Sequence, residues 1–521
     1  MVNLVLKECM KKGFLLDKEM LDIFNKIESD KINEIIDIIG NLKLKERVIT
    51  RKIFSDNIKN IKKIMNGGLN DSVDAFFLEL NEKKKTENIN KKEEFNTIQV
   101  IKEKEHKPKI FTVNDFINSF RRKYNIIKDF LLEKEYSDIT SIRKISKNSS
   151  FTIIGSVFSK RITKNKNIIL EVEDMTGSIN LLINKNKNKL YEQASQILMD
   201  SVLVFRGSCS SEMFFCNDII FPEVKNNRIV KTENDCWVAF ISDLHCGSVN
   251  FMEKNFLKFI KWINGKEKNI YSEISKNIKY LFIGGNLVDG IGHYVNQEKD
   301  LKIKNITKQY EKVQELFKLF RKDLNILVTS GDRDAVWRGE PQSRIENKWF
   351  KELDARNNIT FLENPSWVKI ENKINILLYH GTNIYNLTNE MPNIRNKSGF
   401  SSPNNIIKEL LRIKQLSPMY GSVDIIPEEK DLSIIEPIPD IIFTGNLHRC
   451  EIEMKENILL INGSCWMNNT NYLDKKGILS DPCKVPLLNL RTREIKVLDF
   501  SDDSKQVKWI KDDNICCKMN D

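Results

Sequence analysis

The stretch Val238-Ala-Phe-Ile-Ser-Asp-Leu-His-Cys-Gly-Ser248 sets how the rest of the chain reads. Val238 to Ile241 is an apolar run of strand length. It ends in Asp243 and His245, with Gly247 just beyond. Side chains two apart on an extended segment share a face. The expectation is therefore that a carboxylate and an imidazole leave the strand end side by side, a donor pair suited to a divalent cation with mixed oxygen and nitrogen ligands. A strand followed by an ordinary polar turn gives the same local pattern, so the rest of the chain has to discriminate.

Four more apolar runs end in the same way. Tyr280 to Ile283 leads into Gly284-Gly-Asn-Leu-Val-Asp-Gly290, and Asn325 to Val328 into Thr329-Ser-Gly-Asp-Arg-Asp-Ala-Val336. The run ending at Tyr379 leads into His380-Gly381, and Ile441 to Phe443 into Thr444-Gly-Asn-Leu-His448. The chain has only five histidines, and three of them, His245, His380 and His448, stand at these ends, which favours a ligand reading. His106 and His293 read as solvated linker and loop residues and are not counted as ligands. Helical periodicity over Glu253–Asn264 and Gln309–Phe320 alternates with the strands, which predicts a layered α/β domain over residues 235–500. In open α/β sheets ligands sit outside the carboxyl ends of the strands, where these polar turns lie.

A chain of 521 residues has room for two to four domains. Residues 1–78 read as amphipathic helices, either a plain bundle or a docking module for a partner or DNA. Residues 79–112 are highly charged and poor in large apolar groups, the composition of a disordered linker. Residues 113–225 read as a helix followed by five short strands, with a helix between the third and fourth. That is the pattern of an OB-fold β-barrel, a frequent carrier of single-stranded nucleic acid. Stacking aromatics are sparse on its second and third strands, so a barrel used for protein contact is equally open, and DNA-binding residues stay unassigned. Residues 501–521, with Cys516-Cys517, read as a flexible tail. The net charge of 83 − 72 = +11 is compatible with nucleic acid without establishing it. Ten scattered cysteines without a C-x-x-C pair argue against a zinc ribbon or a disulfide framework and for a reducing interior. Charge breaks the first residues too early for a signal peptide, and no run approaches the ~18 apolar residues of a membrane span. A soluble cytoplasmic protein is expected.

The ordered strand ends resemble the calcineurin-like metallophosphoesterases, with their pattern D-x-H, G-D-x-x-D, G-N-H, H and G-H-x-H. Further segments look like the small subunit of the archaeal family D DNA polymerases: Leu410 to Gly421, Ile426-Pro-Glu-Glu-Lys-Asp431, Pro437-Ile-Pro-Asp440 and Leu460-Ile-Asn-Gly-Ser-Cys-Trp466. So do Val288-Asp-Gly-Ile-Gly292, Asp334-Ala-Val336 and Glu340-Pro-Gln342. The likeness covers about residues 140–500 and joins the OB region to the phosphoesterase region, the order shared by the B-subunits of replicative polymerases. It implies a large catalytic subunit and DNA as partners, a sliding clamp as a further candidate, no membrane, and a place at the nucleoid. It also implies a Mn- or Mg-dependent 3′→5′ exonuclease.

Carried over position by position, the resemblance places metal ligands at Asp243, His245, Asn286, Asp332, His380, Asn446 and His448, with Arg333 at the position of the family's catalytic histidine. Four of these depart from the pattern, one of them Asp332, which falls on the family's asparagine ligand and restores one carboxylate. Asn286 stands for the aspartate that bridges two cations, and a carboxamide brings no charge to offset their repulsion. Arg333 stays protonated and cannot exchange protons near neutral pH. Asn446 replaces the first histidine of G-H-x-H. One cation set, Asp243, His245, Asn286 and His448, keeps three of its four side chains; the other, Asn286, Asp332, His380 and Asn446, keeps only His380. The expectation is one weakly held metal or none, and a small subunit that supports synthesis by its large partner while its own exonuclease is impaired. The alternative is an active Mn-dependent proofreading exonuclease or a stand-alone phosphodiesterase.

Overall fold

The computed structural model describes residues 98–101, 110–133, 139–210, 213–266, 271–353, 356–428, 432–501 and 508–509, together with the dipeptides Leu15–Leu16 and Val48–Ile49. The chain divides into two compact units, Met1–Asn96 and Thr97–Asp521. In the first, Leu15–Leu16 pairs in parallel with Val48–Ile49. The helices expected within residues 1–78 and the paired cysteines of the tail lie outside the described residues.

The first strand of the second unit corrects the expected linker. Gln99–Val100 (β1) lies inside the stretch read as disordered, yet Val100 pairs antiparallel with Val368. The short alternation Ile98-Gln-Val-Ile101 supplies enough apolar surface to add an edge strand, and Ile98 and Val100 pack on the sheet core.

Helix α1 (Val113–Leu132) opens with a capping box in which Thr112 N–H donates to Asp115 Oδ2 at 2.8 Å. It lies against a closed barrel of β2 (Ser150–Ile162), β3 (Ile168–Asp174), β4 (Gly177–Ile183), β5 (Val202–Ser210) and β6 (Met213–Ile220). The barrel order is β2-β3-β4-β6-β5, with β4 and β6 parallel, and α2 (Asn188–Ser195) sits between the third and fourth strands. Alternation along β3 puts Ile168, Leu170 and Val172 inside. Tyr124 of α1 donates its hydroxyl to Ile154 O at 2.9 Å, while Ile127 and Leu131 pack on Val202 and Val204.

The remaining elements form two sheets. The first runs through β7 (Trp237–Ile241), β8 (Ile278–Ile283), β9 (Asn325–Thr329) and β10 (Ile359–Leu362), all parallel. The second contains β11 (Ser366–Ile370), β12 (Ile374–Tyr379), β13 (Ile441–Thr444), β14 (Glu451–Lys455) and β15 (Ile458–Asn462), in the order β14-β15-β13-β12-β11-β1. The hairpin β16 (Lys484–Asn489) and β17 (Ile495–Asp499) returns to the first sheet beside β7. Helices α3 (Glu253–Ile263) and α4 (Ile306–Lys318) bury Phe256, Phe259, Val313 and Phe317 against the first sheet. The two sheets face each other through Phe240, Phe282 and Phe443, with ring centroids 5.5 and 5.1 Å from Phe240.

The layered α/β domain expected over residues 235–500 is a two-sheet sandwich. β10, β11, β14 and β16 escape a periodicity reading because they are short and, in β16, contain a proline. Barrel and sandwich also share one apolar cluster, from Leu203 and Phe205 through Phe221 to Leu410, Leu411 and Leu377, so the expected boundary near residues 225–235 is not a gap in the core. β7, β8 and β9 in one sheet and β12 and β13 in the other bring their carboxyl ends to one edge, which gathers the five polar loops.

Candidate metal centre

Asp243 and His245 do meet, but not by strand alternation. β7 ends at Ile241, and the two residues have φ of +52° and +51°. Asn286, Asn446 and His448 are also left-handed, at +51°, +70° and +56°. Non-glycine residues rarely sit there, and clusters of them mark places where surrounding contacts over-determine the backbone. Here the first loop is zipped to the second: Asp243, His245 and Cys246 donate their N–H groups to the carbonyls of Gly285, Asn286 and Leu287 at 3.1, 3.0 and 3.0 Å. A side chain at Gly331 would strike the Asn286 carboxamide, and one at Gly445 would strike Ser242 Oγ, so the neighbouring loops need glycine at both.

Three ligand atoms converge. Asp243 Oδ1 lies 3.5 Å from His245 Nε2 and 3.6 Å from His448 Nε2, and the two nitrogens are 3.2 Å apart. With bonds of about 2.1 Å, neighbouring ligand atoms lie about 3.0 Å apart around an octahedral cation and about 3.4 Å apart around a tetrahedral one. These residues therefore fit one cation, and they are the one such group of three among the described residues. All three are buried. His245 Nδ1 faces Asp289 Oδ1 at 2.9 Å, an arrangement that orients an imidazole ligand from behind. Burial alone would lower the His245 pKa, but its hydrogen bonds to Asp243 and Asp289 raise it to about 9. Loss of the Nε2 proton frees that nitrogen as a ligand. Burial would raise Asp243, yet His245 and His448 hold it well below the usual carboxylate range.

The other half of the expected set is organised differently. Asn286 Nδ2 donates to Asp243 Oδ1 at 2.9 Å and to Asp332 Oδ1 at 3.1 Å, while its Oδ1 accepts the Arg333 N–H at 2.8 Å. Its amide hydrogens therefore occupy the bridging position, and no lone pair faces the carboxylates. Asn286, expected from the resemblance among the ligands, thus presents donors to the two carboxylates in this structure. Asn446, also expected among the ligands, donates its Nδ2 to Gly381 O at 2.8 Å and its N–H to Asp243 Oδ2 at 2.8 Å. His380 is pinned by Gly284 O at 2.6 Å through Nδ1, and its Nε2 lies 3.2 Å from Asp332 Oδ1. Burial would lower His380, but the Asp332 hydrogen bond and the charge of Asp243 raise it to about 9. In the same way Asp332, despite burial, is held below the usual range by His380 and Arg333. This half is a closed ion pair bridged by an amide.

Arg333 lies over Tyr294 and Tyr472, 5.2 and 5.8 Å from the ring centroids, and these rings stack at 4.3 Å. His293 stands outside the ligand groups, and burial together with Arg333 pushes it down to about 4. Sequence pattern alone assigned no role to Asp289, nor to Asp334, whose carboxylate accepts from Leu287 and Gly331 N–H at 3.0 and 2.9 Å and ties the second loop to the third. Burial pushes Asp334 up to about 6. Their signal was present, since Val288-Asp-Gly and Asp334-Ala-Val are among the segments that carry the resemblance.

Residues 238–452 match the B-subunit family of DNA polymerases alpha and epsilon. The DNA polymerase II small subunit of Methanothermobacter thermautotrophicus is 33% identical over 75% of this chain and 80% of its own length. That of Pyrococcus furiosus is 31% identical over 75% of this chain but 64% of its own, and that of Thermoplasma acidophilum 30% identical over 75% and 78%. Among solved structures, Vacuolar Protein Sorting 29 from Cryptosporidium parvum is similar at 16% identity and a TM-score of 0.28, over 53% of this chain and 97% of that one, a superposition too loose to argue from. The sequence relationship is enough: the chain belongs to the small-subunit family of the archaeal family D DNA polymerases, whose curated members bear the name DNA polymerase II small subunit.

Proposed function

We propose that this chain is the small subunit of an archaeal replicative DNA polymerase, that it supports synthesis by a large catalytic subunit, and that its own 3′→5′ exonuclease is impaired. The observation that carries the second part is the Asn286 amide, which donates to Asp243 and Asp332 where two cations need a shared anion. The strand order β2-β3-β4-β6-β5 with its parallel β4–β6 contact supports reading the barrel as an OB-fold, and the five convergent loops support reading the sandwich as a calcineurin-like phosphoesterase domain. Barrel and sandwich share a core and would dock as one body. DNA and a sliding clamp are further partners under this reading.

Asp243, His245 and His448 would hold one Mn²⁺ or Mg²⁺. Such a cation supplies a Lewis acid for a phosphoryl oxygen and a lowered pKa for bound water. Asp289 orients His245, and Ser242 and Asn446 donate to Asp243 at 2.6 and 2.8 Å, holding it for that role. What the chain lacks is a neutral proton carrier at Arg333. The intact triad favours a second reading, an active Mn-dependent proofreading exonuclease or a phosphodiesterase acting alone. Degradation of a 3′-labelled strand by the complex of this chain with its large subunit in Mn²⁺ separates the two. Little or no degradation is expected; robust degradation abolished by Asp243→Ala overturns the impaired-nuclease reading.

A further inference from the structure

Away from the metal centre, α1 carries an apolar stripe that is only half covered. Val113, Ile117, Phe120, Tyr124, Ile127 and Leu131 recur in steps of four and three, the spacing of one continuous seam along a helix. Tyr124, Ile127 and Leu131 are buried against the barrel. The first half of the seam is open, with Val113 76% and Ile117 39% exposed. Beside it the barrel leaves Phe158 57% and Met175 52% exposed, and Tyr420 of the sandwich is 60% exposed. Ile117, Phe120, Phe158, Met175 and Tyr420 line one groove with about 1170 Å³ of space, part of it open to solvent. A contiguous apolar patch left open in this way marks an interaction surface.

The walls are fixed from behind. Phe158 falls at a bulge in β2, between the Val157–Val172 and Ser159–Glu171 pairs, and a bulge re-aims a side chain. Met175 sits on the turn between β3 and β4, where Asp174 accepts the N–H groups of Thr176, Gly177 and Ile142 at 2.7, 3.1 and 2.9 Å. The Tyr420 N–H donates to Asp200 Oδ2 at 2.7 Å, and its ring meets Phe116 and Phe120 edge-on at 6.5 and 5.3 Å. Side chains held this firmly lose little freedom when a partner covers them.

Charge selects the occupant. Glu173, Asp174 and Asp200 line the groove together with Arg121 and Lys123, so carboxylates outnumber cations here although the whole chain carries +11. Lys123 is buried, donates to Ser417 O at 3.3 Å and acts on Asp200. The charges acting on Glu173 are those of Asp200 and Glu171, which add to the effect of burial and push its pKa up. Clustered carboxylates repel a phosphate and favour an incoming cation. We propose that this groove docks an amphipathic helix of another protein, which seats its apolar stripe on Ile117, Phe158, Met175 and Tyr420 and brings a lysine or arginine to Glu173 and Asp200. The proposal uses no residue of the metal centre and stands apart from the reading of the nuclease.

The test uses the full chain and two fluorescein-labelled model helices of about four turns. They share one leucine stripe and carry lysine or glutamate at the remaining positions. Saturable one-to-one binding of the leucine–lysine helix by anisotropy is expected, against the sign of the chain's net charge, with little binding of the leucine–glutamate helix. Phe158→Ser and Met175→Ser should each weaken it about tenfold, the scale of one apolar anchor. Glu173→Lys should weaken it about tenfold as well and admit the glutamate helix. Both apolar positions are open to solvent, so circular dichroism should show the fold intact; if one variant does not fold, the other carries the test. Tighter binding of the glutamate helix, no saturable binding of either, or binding of the lysine helix unchanged in every variant would overturn the proposal. So would displacement of the helix by oligothymidylate whose own binding falls in Phe158→Ser, which would assign the groove to nucleic acid. A dimer in sedimentation that Phe158→Ser abolishes would overturn it in favour of a second copy of this chain.

Discussion

The two halves of the strand-end cluster start from similar parts and end as different objects. Around Asp243, two imidazoles present Nε2 to one carboxylate oxygen with ligand spacing, and Asp289 supports one of them from behind. Around Asp332, a single imidazole forms an ion pair, and an amide donates into the space a second cation would need. The difference traces to one atom type. A carboxylate at position 286 would offer lone pairs to both sides, whereas the carboxamide, its oxygen held by the Arg333 N–H, offers hydrogens. One neutral amide among carboxylates can therefore complete a self-satisfied hydrogen-bond network.

The largest test of this contrast is Asp243→Ala. It strips a buried carboxylate from His245, His448, Ser242 and the Asn446 N–H. The expected cost is about 3–5 kcal/mol in urea unfolding, with loss of Mn²⁺ binding by electron paramagnetic resonance. Retained binding would remove the triad as the site.

Glu340 probes the support beneath the other half. It is buried, Tyr379 Oη lies 3.3 and 3.4 Å from its two carboxylate oxygens, and burial pushes it from 4.5 up to about 7. Below pH 4.5 both folded and unfolded chains hold this proton and the group is neutral to stability. As pH rises toward 7 the unfolded chain releases it first, so stability falls, by up to about 3 kcal/mol, and then levels off. Glu340→Gln should remove that loss, giving a Tm advantage over the parent that is absent near pH 4.5 and full at pH 8. A constant difference across this range would refute the shift.

Asn286→Asp attacks the contrast directly. In EDTA it sets a third carboxylate between Asp243 and Asp332 and should cost about 1–3 kcal/mol. In Mn²⁺ the loss should reverse and the titrated stoichiometry rise from one ion to two; a stoichiometry that stays at one would show that the Asp332 half fails for another reason. The smallest effect is expected from Asp289→Asn, which keeps a hydrogen-bond acceptor for His245 but removes its charge. Unfolding should hardly change, while Mn²⁺ affinity by calorimetry falls about tenfold.

Much of this was legible in the chain. Scarcity made His245, His380 and His448 conspicuous, and their position after apolar runs put them at strand ends. Apolar period and glycine placement marked the barrel strands and the helix between the third and fourth. What stayed hidden depends on partners distant in sequence. β16 is a strand because it lies beside β7, and Asp289 matters because it faces His245 from 44 residues away. The left-handed backbone at Asp243 and His245 comes from contacts with the second loop, so the local rule reached the right pair for the wrong reason.

The sequence by itself determined which charges are present: a neutral amide at 286, a fixed cation at 333, and the carboxylate and histidines of the triad. Those identities follow from covalent chemistry and need no fold. Only the tertiary structure decided how the amide points. Its oxygen is claimed by a backbone N–H 47 residues away, which leaves its hydrogens for two carboxylates from separate loops. Likewise only packing set Arg333 against Tyr294 and Tyr472 and left one of its nitrogens without a partner. Hydrogen-bond direction and desolvation belong to the assembled neighbourhood, and in this protein they set the Asn286 amide apart from the Asp243, His245 and His448 cluster.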